Sequence, residues 1–248
     1  MLECMPVTAA ELQLLAKYDT PTISNVIELF EIRPRNQGYM DARIRACFPE
    51  MPPIAGYAAT ATMRCDAPRR SGDVYSSLDE QVARFAELLG TPIVVYQDLD
   101  DPCTAATFGE IMCSTYKAFG AAGLITSGAA RDLDQVRRIG FPAFSNGAIS
   151  SHGYSHIVDL HRAVRVGGVT VQPGDLLHAD ANGVTTIPLE IAPDIADAAT
   201  EYVAAESIVL DYLKAGTPQP KAYAEARGAM MAAIADLGKR VRTKSTAV

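Results

Sequence analysis

The spacing of apolar residues changes period several times along this chain, and each change predicts an element. Thr8-Ala-Ala-Glu11 has the spacing in which a hydroxyl and a carboxylate each satisfy the other residue's backbone amide, so a short helix starts there. Thr20-Pro21 offers a cap followed by Pro at the first helical position, opening a helix to about Phe30. Residues 56–65 alternate small and β-branched side chains and read as a strand. Ser77-Leu-Asp-Glu80 is a second capping box; Leu78, Val82, Phe85 and Leu89 follow at helical spacing, and Gly90 stops the run. Residues 92–97 (Pro-Ile-Val-Val-Tyr-Gln) are apolar without alternation, the pattern of a buried strand. Gly109 precedes a helix in which Met112, Tyr116 and Phe119 share one face, with Gly120 as its stop. Strands at 123–126 and 142–145 bracket a short helix over 132–139 that Gly140 ends. This β-α-β-α-β order with short links predicts an α/β core.

From Val164 the texture changes. Gly167-Gly168 leads into a strand at 169–172, and Pro173-Gly174-Asp175 is a turn. Strands at 176–179 and 184–188 flank Asn182-Gly183, a two-residue hairpin signal. This half reads as an antiparallel meander in which Asp175 and Asp180 shape turns and carry no chemistry. Two helical stripes close the chain: Ile195, Ala198, Tyr202, Ala205, Val209 and Tyr212, ended by Gly216-Thr-Pro218, and then Met230, Ile234, Leu237 and Val241. The tail from Arg242 is polar and is expected to fray. The division expected is an α/β domain over 1–190 and a helical extension over 191–248, packed on the same chain or on a neighbour.

Composition narrows the function classes. With 248 residues, 48% hydrophobic and 21% charged, the chain can bury one large core and is not a disordered one. Its net charge of -7, with no basic stripe carrying interleaved aromatics, argues against a nucleic-acid partner. Cys4, Cys47, Cys65, Cys103 and Cys113 are odd in number and contain no Cys-x-x-Cys, which fits reduced thiols in the cytoplasm. No basic-then-apolar leader is present, and no apolar run approaches the ~20 residues of a membrane helix.

The chemistry concentrates at the end of one apolar run, Gly123-Leu-Ile-Thr-Ser-Gly-Ala-Ala-Arg-Asp132, preceded by a lone carboxylate, Glu110, with twenty residues between it and Arg131. A strand that ends in Ser127-Gly128 and then offers a guanidinium beside a carboxylate delivers two opposite charges to a loop. Arg131 suits a planar anion, and Asp132 is a hard oxygen ligand for Mg²⁺ or Mn²⁺. The same pair also reads as a helix cap plus a surface ion pair, and Glu110 as a first-turn dipole partner. His152 and His156 have a metal-ligand interval, with His161 beyond. But Gly153 lies between the first two, no cap opens a helix there, and no acidic partner follows, so this segment reads as a loop lining a pocket. Cys103 and Cys113 lie near Gly109 without a visible base and read as small core residues. Ser127 has no Gly-x-Ser-x-Gly elbow, and no Gly-rich loop of the adenosine-binding kind appears, which removes a methyltransferase reading.

These motifs carry a resemblance. Ile54-Ala-Gly-Tyr-Ala-Ala-Thr-Ala, the segment Gly120 to Asp132, Gly140-Phe-Pro-Ala-Phe, and Val169-Thr-Val-Gln-Pro-Gly-Asp-Leu-Leu-His-Ala-Asp-Ala-Asn-Gly-Val184 together make the chain similar to the RraA-like family over roughly residues 20 to 190. That family includes class II 4-hydroxy-4-methyl-2-oxoglutarate / 4-carboxy-4-hydroxy-2-oxoadipate aldolases and the regulator of ribonuclease E activity A. Its aldolases carry Asp, twenty residues, then Arg-Asp; here the first position is Glu110, and Ser24-Asn25 stands where the family commonly has Ser-Asp.

The resemblance implies an α/β/β/α sandwich like the swivelling phosphohistidine-domain class, with added C-terminal helices. It implies a homotrimer or dimer of trimers, with Glu206 reaching a neighbouring subunit's site. It also implies a lyase that cleaves a 4-hydroxy-2-oxo acid, or decarboxylates oxaloacetate, through a pyruvate enolate. Asp132 would anchor Mg²⁺ or Mn²⁺, Arg131 would hold the pyruvate-like oxygens, and Glu110 would orient a water acting as base. The amides of Gly109, Glu110, Ile111 and Met112 would receive the substrate carboxylate, and His152 with its loop would shape the distal pocket. The alternative is a non-catalytic regulator that binds a ribonuclease or another protein; the retained Glu110 carboxylate favours the lyase.

Overall fold

The computed structural model of the protein describes residues 7–69 and 77–245. The first capping box forms: Thr8 and Glu11 exchange side-chain-to-backbone bonds and open α1 (Ala9–Leu15). Helix α2 (Thr20–Leu29) starts one residue earlier than its Thr-Pro signal suggests. Asp19 is the cap, in an extended conformation with its carboxylate on Thr22 N at 2.8 Å, and Pro21 is the second helical residue. Thr20 serves instead as a clamp. Its amide donates to Asp180 Oδ2 at 2.9 Å and its hydroxyl meets His178 Nδ1 at 2.9 Å. Burial, first of all, depresses the pKa of His178 at this contact.

The strands are β1 (Arg45–Ala46), β2 (Ile54–Arg64), β3 (Pro92–Asp98), β4 (Ala106–Phe108), β5 (Gly123–Thr126), β6 (Ala129–Ala130), β7 (Ala143–Ser145), β8 (His156–Leu160), β9 (Val164–Val166), β10 (Val169–Val171), β11 (Leu176–Asp180) and β12 (Gly183–Ile187). Between them lie α3 (Leu78–Ala83), α4 (Glu110–Ala118) and α5 (Leu133–Ile139), and after them α6 (Ala192–Lys214) and α7 (Pro220–Ser245). One mixed sheet runs β1-β7-β5-β3-β2-β11-β12, with β8 on the far half of the β2 edge. Its centre, β2-β3-β5-β7, is parallel, and β1, β8, β11 and β12 join antiparallel.

Both faces of this sheet are covered, which explains the unbroken apolar run at 92–97. Val94, Tyr96 and Leu124 face a core shared with α3, α4 and α5; Ile93, Val95 and Ile125 face a second core with Met40, Ile44, Val164 and Val171. A third core joins α1 and α2 to Ile195, Ala198 and Ala199 of α6 and to Leu237 and Val241 of α7, so the C-terminal helices pack on their own chain.

Several expectations are corrected. Ser77 makes no side-chain cap: at φ -117° and ψ 6° it lacks the extended backbone that aims a hydroxyl at the first-turn amides, and α3 gives way to a 3₁₀ turn over Arg84–Glu87. Leu89 and Phe119, placed on buried faces by their spacing, are 54% and 59% exposed because each lies past the end of its helix. The second half is not one meander. β9 and β10 pair with each other around Gly167-Gly168, while β11 and β12 join the main sheet. The tail does not fray at Arg242: its guanidinium donates to Leu29 O at 2.9 Å, and α7 continues to Ser245.

Asp175 and Asp180 do shape turns, accepting from Gln172 N and Asn182 N at 2.8 and 2.7 Å. Cys47, Cys65, Cys103 and Cys113 are unpaired; Cys4 lies outside the described residues. Among the described residues no helix is long and apolar enough to cross a membrane.

Candidate active site

Two short parallel strands build the site. β4 and β6 pair with Phe108 opposite Ala130, and each runs straight into a helix: β4 through Gly109 into α4, β6 through Arg131-Asp132 into α5. The 22-residue register continues past the strand ends, so Glu110 meets Asp132. The interval read in the sequence is therefore the length of one turn of the chain out through α4 and back through β5. Arg131 N donates to Phe108 O at 3.1 Å and fixes the second strand's exit.

Asp132 is the pivot. Its backbone is left-handed, φ 55° and ψ 38°, a region that Asp tolerates better than most residues. It makes no side-chain cap on its own helix α5. Its Oδ2 accepts instead from Glu110 N at 3.1 Å, capping α4, and Arg131 Nε lies 3.7 Å from the same oxygen. The cap reading of the sequence holds, then, for the neighbouring helix.

Gly109 makes this approach feasible. A Cβ there would stand 2.5 Å from Asp132 Oδ2 and 3.0 Å from Arg131 Nε. Its φ of -154° is extended backbone open to other residues, so the site requires room at this position. Behind it, Tyr96 and Tyr116 both donate to Gln81 Oε1, at 2.6 and 2.5 Å, tying α4 to β3 and α3 through the core. Lys117 Nζ donates to Ile139 O and joins the far ends of α4 and α5.

The arrangement encloses a cavity of about 130 Å³, lined by Gly109, Glu110, Arg131, Asp132, His152 and Ser155 among others. Ile111 and Met112 also line it, Ile111 largely exposed and Met112 buried. The side chains of Arg131 and Asp132 are 27% and 35% exposed, enough to meet a ligand while sheltered from bulk water. His152 arrives on a loop pinned by Ala106 N to Ser151 O at 2.8 Å and Tyr154 N to Cys65 O at 3.0 Å. The three histidines make separate contacts: His152 Nδ1 with Gly153 O, His156 Nδ1 with Tyr154 O, and His161 Nδ1 with Glu87 Oε2.

Glu206 does not line this cavity. It sits on α6 near Asp19 and Tyr202, and burial raises its carboxyl pKa. Burial likewise pushes the Cys113 thiol up, which suits a core residue and not a nucleophile. Cys103, expected in the core, is only partly buried and lines a second cavity, its thiol also raised first of all by burial. Ser155, buried at the cavity wall, escaped the sequence reading; it follows no motif and reaches the site only through the path of its loop. Asp98 escaped it too: buried at the end of β3, it has a carboxyl pKa pushed up to about 6, chiefly by burial. Its only signal was an acid closing an apolar strand.

Comparison with known proteins gives this geometry a context. Residues 20–186 match the RraA-like family, described as Aldolase/RraA. A protein of Halalkalibacterium halodurans with the name "Putative 4-hydroxy-4-methyl-2-oxoglutarate aldolase" is 35% identical over 96 residues, 38% of this chain and 46% of that protein. One of Ectopseudomonas mendocina with the same name is 30% identical over 115 residues, 46% of this chain and 68% of that protein. The stretch matched to the first of these spans about half of that relative's length. Among solved structures, an uncharacterized protein from Pseudomonas syringae has a TM-score of 0.70 at 21% identity, over 92% of this chain and 97% of that one. Streptomyces coelicolor RraAS2, described as an unusual member of the RNase ES inhibitor RraA protein family, has 0.64 at 21% identity, over 82% and 96%. Both likenesses concern the fold.

Proposed function

Since the chain belongs to the RraA-like (Aldolase/RraA) family, we propose that it is a divalent-metal-dependent lyase that forms a pyruvate enolate, by aldol cleavage of a 4-hydroxy-2-oxo acid or by decarboxylation of oxaloacetate. The observation that carries this reading is the convergence of Arg131, Asp132 and the first turn of α4 on one small cavity.

Arg131 offers a planar fork to the carboxylate of a 2-oxo acid and opposes negative charge developing on the adjacent oxygen. The first-turn amides of a helix have no partner within it. Asp132 occupies that of Glu110, which leaves Ile111 and Met112 to meet a second substrate oxygen. The donor atoms here fit a hard cation. Asp132 and Glu110 supply carboxylate oxygens, and Mg²⁺ or Mn²⁺ is held by one or two carboxylates plus substrate and water. Asp132 would hold the ion, which would supply Lewis-acid polarisation of the substrate's 2-oxo group. Glu110, exposed on the rim, is placed to orient a water that carries the proton. His152 and Ser155 stand where the substrate's distal group would lie.

The family also contains ribonuclease-inhibiting RraA proteins such as the Streptomyces neighbour; the carboxylates kept at 110 and 132 favour the lyase over a regulator. We extend the proposal to a homotrimer or dimer of trimers in the cytoplasm, with Glu206 serving a neighbouring subunit's cavity, checked by light scattering and by the activity of Glu206→Gln. For the fold, α/β/β/α layering is supported by helices over one sheet face and the β9–β10 ribbon over the other.

The test is release of pyruvate from 4-hydroxy-4-methyl-2-oxoglutarate and from oxaloacetate, followed by lactate dehydrogenase coupling with Mg²⁺ or with EDTA. Turnover with Mg²⁺ and none with EDTA supports the proposal. Turnover that ignores chelation contradicts the metal dependence.

A further inference from the structure

The carboxyl ends of β2 and β3 carry a second group of ligand-type side chains, apart from the Arg131–Asp132 cavity. The two strands are parallel, with Met63 opposite Asp98. Two residues further along each chain come Cys65 and Asp100. Cys65, Asp98 and Asp100 each place one potential ligand atom within 4.8 Å of the others. All three are inside the protein: Cys65 is 2% exposed, Asp98 8%, and the Asp100 side chain 5%.

The backbone holds this group in place. Asp100 N donates to Asp98 Oδ1 at 3.0 Å, and the amides of Cys65 and Asp66 donate to Asp100 Oδ2 at 2.6 and 3.0 Å. Arg64 Nε, on a half-exposed side chain, lies 3.5 Å from Asp100 Oδ1. Asp98 Oδ2 is left buried with no hydrogen-bond partner, and Asp98 makes no ion pair among the described residues. Buried carboxylates are paired, hydrogen-bonded or bound to a metal, because the isolated charge is expensive to desolvate. Gly128 completes the cradle: a Cβ there would collide with Thr107 Oγ1 and come within 2.5 Å of Asp98 Oδ2. A cavity of about 350 Å³, lined by Ser127, Asn146 and Arg165, opens onto Asp98 and Asp100 and gives an ion its entry.

We propose that Cys65, Asp98 and Asp100 form a binding site for a borderline-soft divalent cation of the Zn²⁺ class. A thiolate beside two carboxylates suits Zn²⁺ and disfavours Mg²⁺, which takes oxygen ligands alone. Binding releases the thiol proton to solvent as sulfur takes the metal. Three protein ligands leave one tetrahedral position for water or a small anion from the cavity. Because Cys65 O accepts from Tyr154 N at 3.0 Å, the ion would also brace the loop that carries His152 and Ser155. This site stands independently of the lyase reading.

The experiment is titration of the chelator-stripped whole chain with Co²⁺, followed by Zn²⁺ or Mg²⁺. The expected result is a thiolate-to-Co²⁺ charge-transfer absorption that saturates at one equivalent, is bleached by Zn²⁺, and persists in excess Mg²⁺. Cys65→Ser abolishes it, Asp98→Asn weakens Co²⁺ binding at least tenfold, and Asp132→Ala and Cys103→Ser leave it unchanged. Circular dichroism establishes that each variant is folded, and Asp98→Asn keeps the test decisive if Cys65→Ser is not. Absence of the absorption in the wild-type chain, its survival in folded Cys65→Ser, or unweakened binding by folded Asp98→Asn overturns the proposal.

Discussion

Gly109→Ala isolates the packing claim at the heart of the site. The new Cβ would stand 2.5 Å from Asp132 Oδ2, and an ordinary contact begins at 3.4 Å, so the carboxylate must retreat by about 0.9 Å. It cannot retreat freely. It is held at 3.1 Å by Glu110 N, and Arg131 Nε also crowds the methyl at 3.0 Å. Losing the bond that caps α4 costs about 1 kcal/mol, as for other helix caps. Shifting a catalytic group by about 1 Å costs about 10²-fold in rate. The expected variant is folded, slightly less stable, and about 10²-fold lower in kcat/KM for pyruvate release. Gly228→Ala is the control. A Cβ there meets nothing, and removing a glycine from the interior of α7 should stabilise the chain by up to about 1 kcal/mol with no change in rate. Thermal unfolding and the coupled pyruvate assay read both quantities. A folded Gly109→Ala with wild-type kcat/KM would refute the argument that the Asp132 position depends on the missing side chain.

Further outcomes follow from the same geometry. Arg131→Ala and Asp132→Ala should each abolish turnover in a folded protein, with Asp132→Ala also losing about 1 kcal/mol in thermal unfolding because Glu110 N loses its acceptor; near wild-type rates in either would remove that residue from the mechanism. Glu110→Asp should remain active, since the carboxylate sits on an exposed rim where a shorter stem still reaches water; an inactive, folded variant would make the stem length essential. In chelated protein, burial holds the Asp98 pKa at about 6 against an ordinary 3.8, so the folded chain binds the extra proton between those values and loses stability as pH rises through that window. Asp98→Asn cannot titrate, and its melting temperature should gain on the wild type from about pH 4 to pH 6; a pH-independent difference would contradict a buried carboxylate whose Oδ2 has no hydrogen-bond partner.

What the sequence made legible was whatever one stretch of chain decides alone. The buried strands over Pro92–Asp98 and Gly123–Thr126 and the Thr8 box are local patterns, and all form. The hairpin marked by Asn182-Gly183 forms too, but its two-residue turn is Ala181-Asn182, with Gly183 already paired to Asp180. The pairing of strands is not local. β4 and β6 are three and two residues long with no β-branched alternation, yet their register aligns Glu110 with Asp132. The sequence showed the interval; only the parallel pairing explains it. β8, with one buried position in five, lacks the alternation that would mark a strand and exists because the β2 edge accepts it. Ser155 and Asp98 were missed because their surroundings come from loops and neighbouring strands distant in the chain.

The central claim is that this cavity stabilises an enolate of pyruvate, and exchange of pyruvate's methyl protons tests it without knowledge of the full substrate. Pyruvate in D₂O with the protein and Mg²⁺, followed by proton NMR, should lose its methyl signal to deuterium with the wild-type chain and keep it with Arg131→Ala or EDTA. A methyl signal that persists at the uncatalysed rate with the folded wild-type chain and Mg²⁺ would contradict the account.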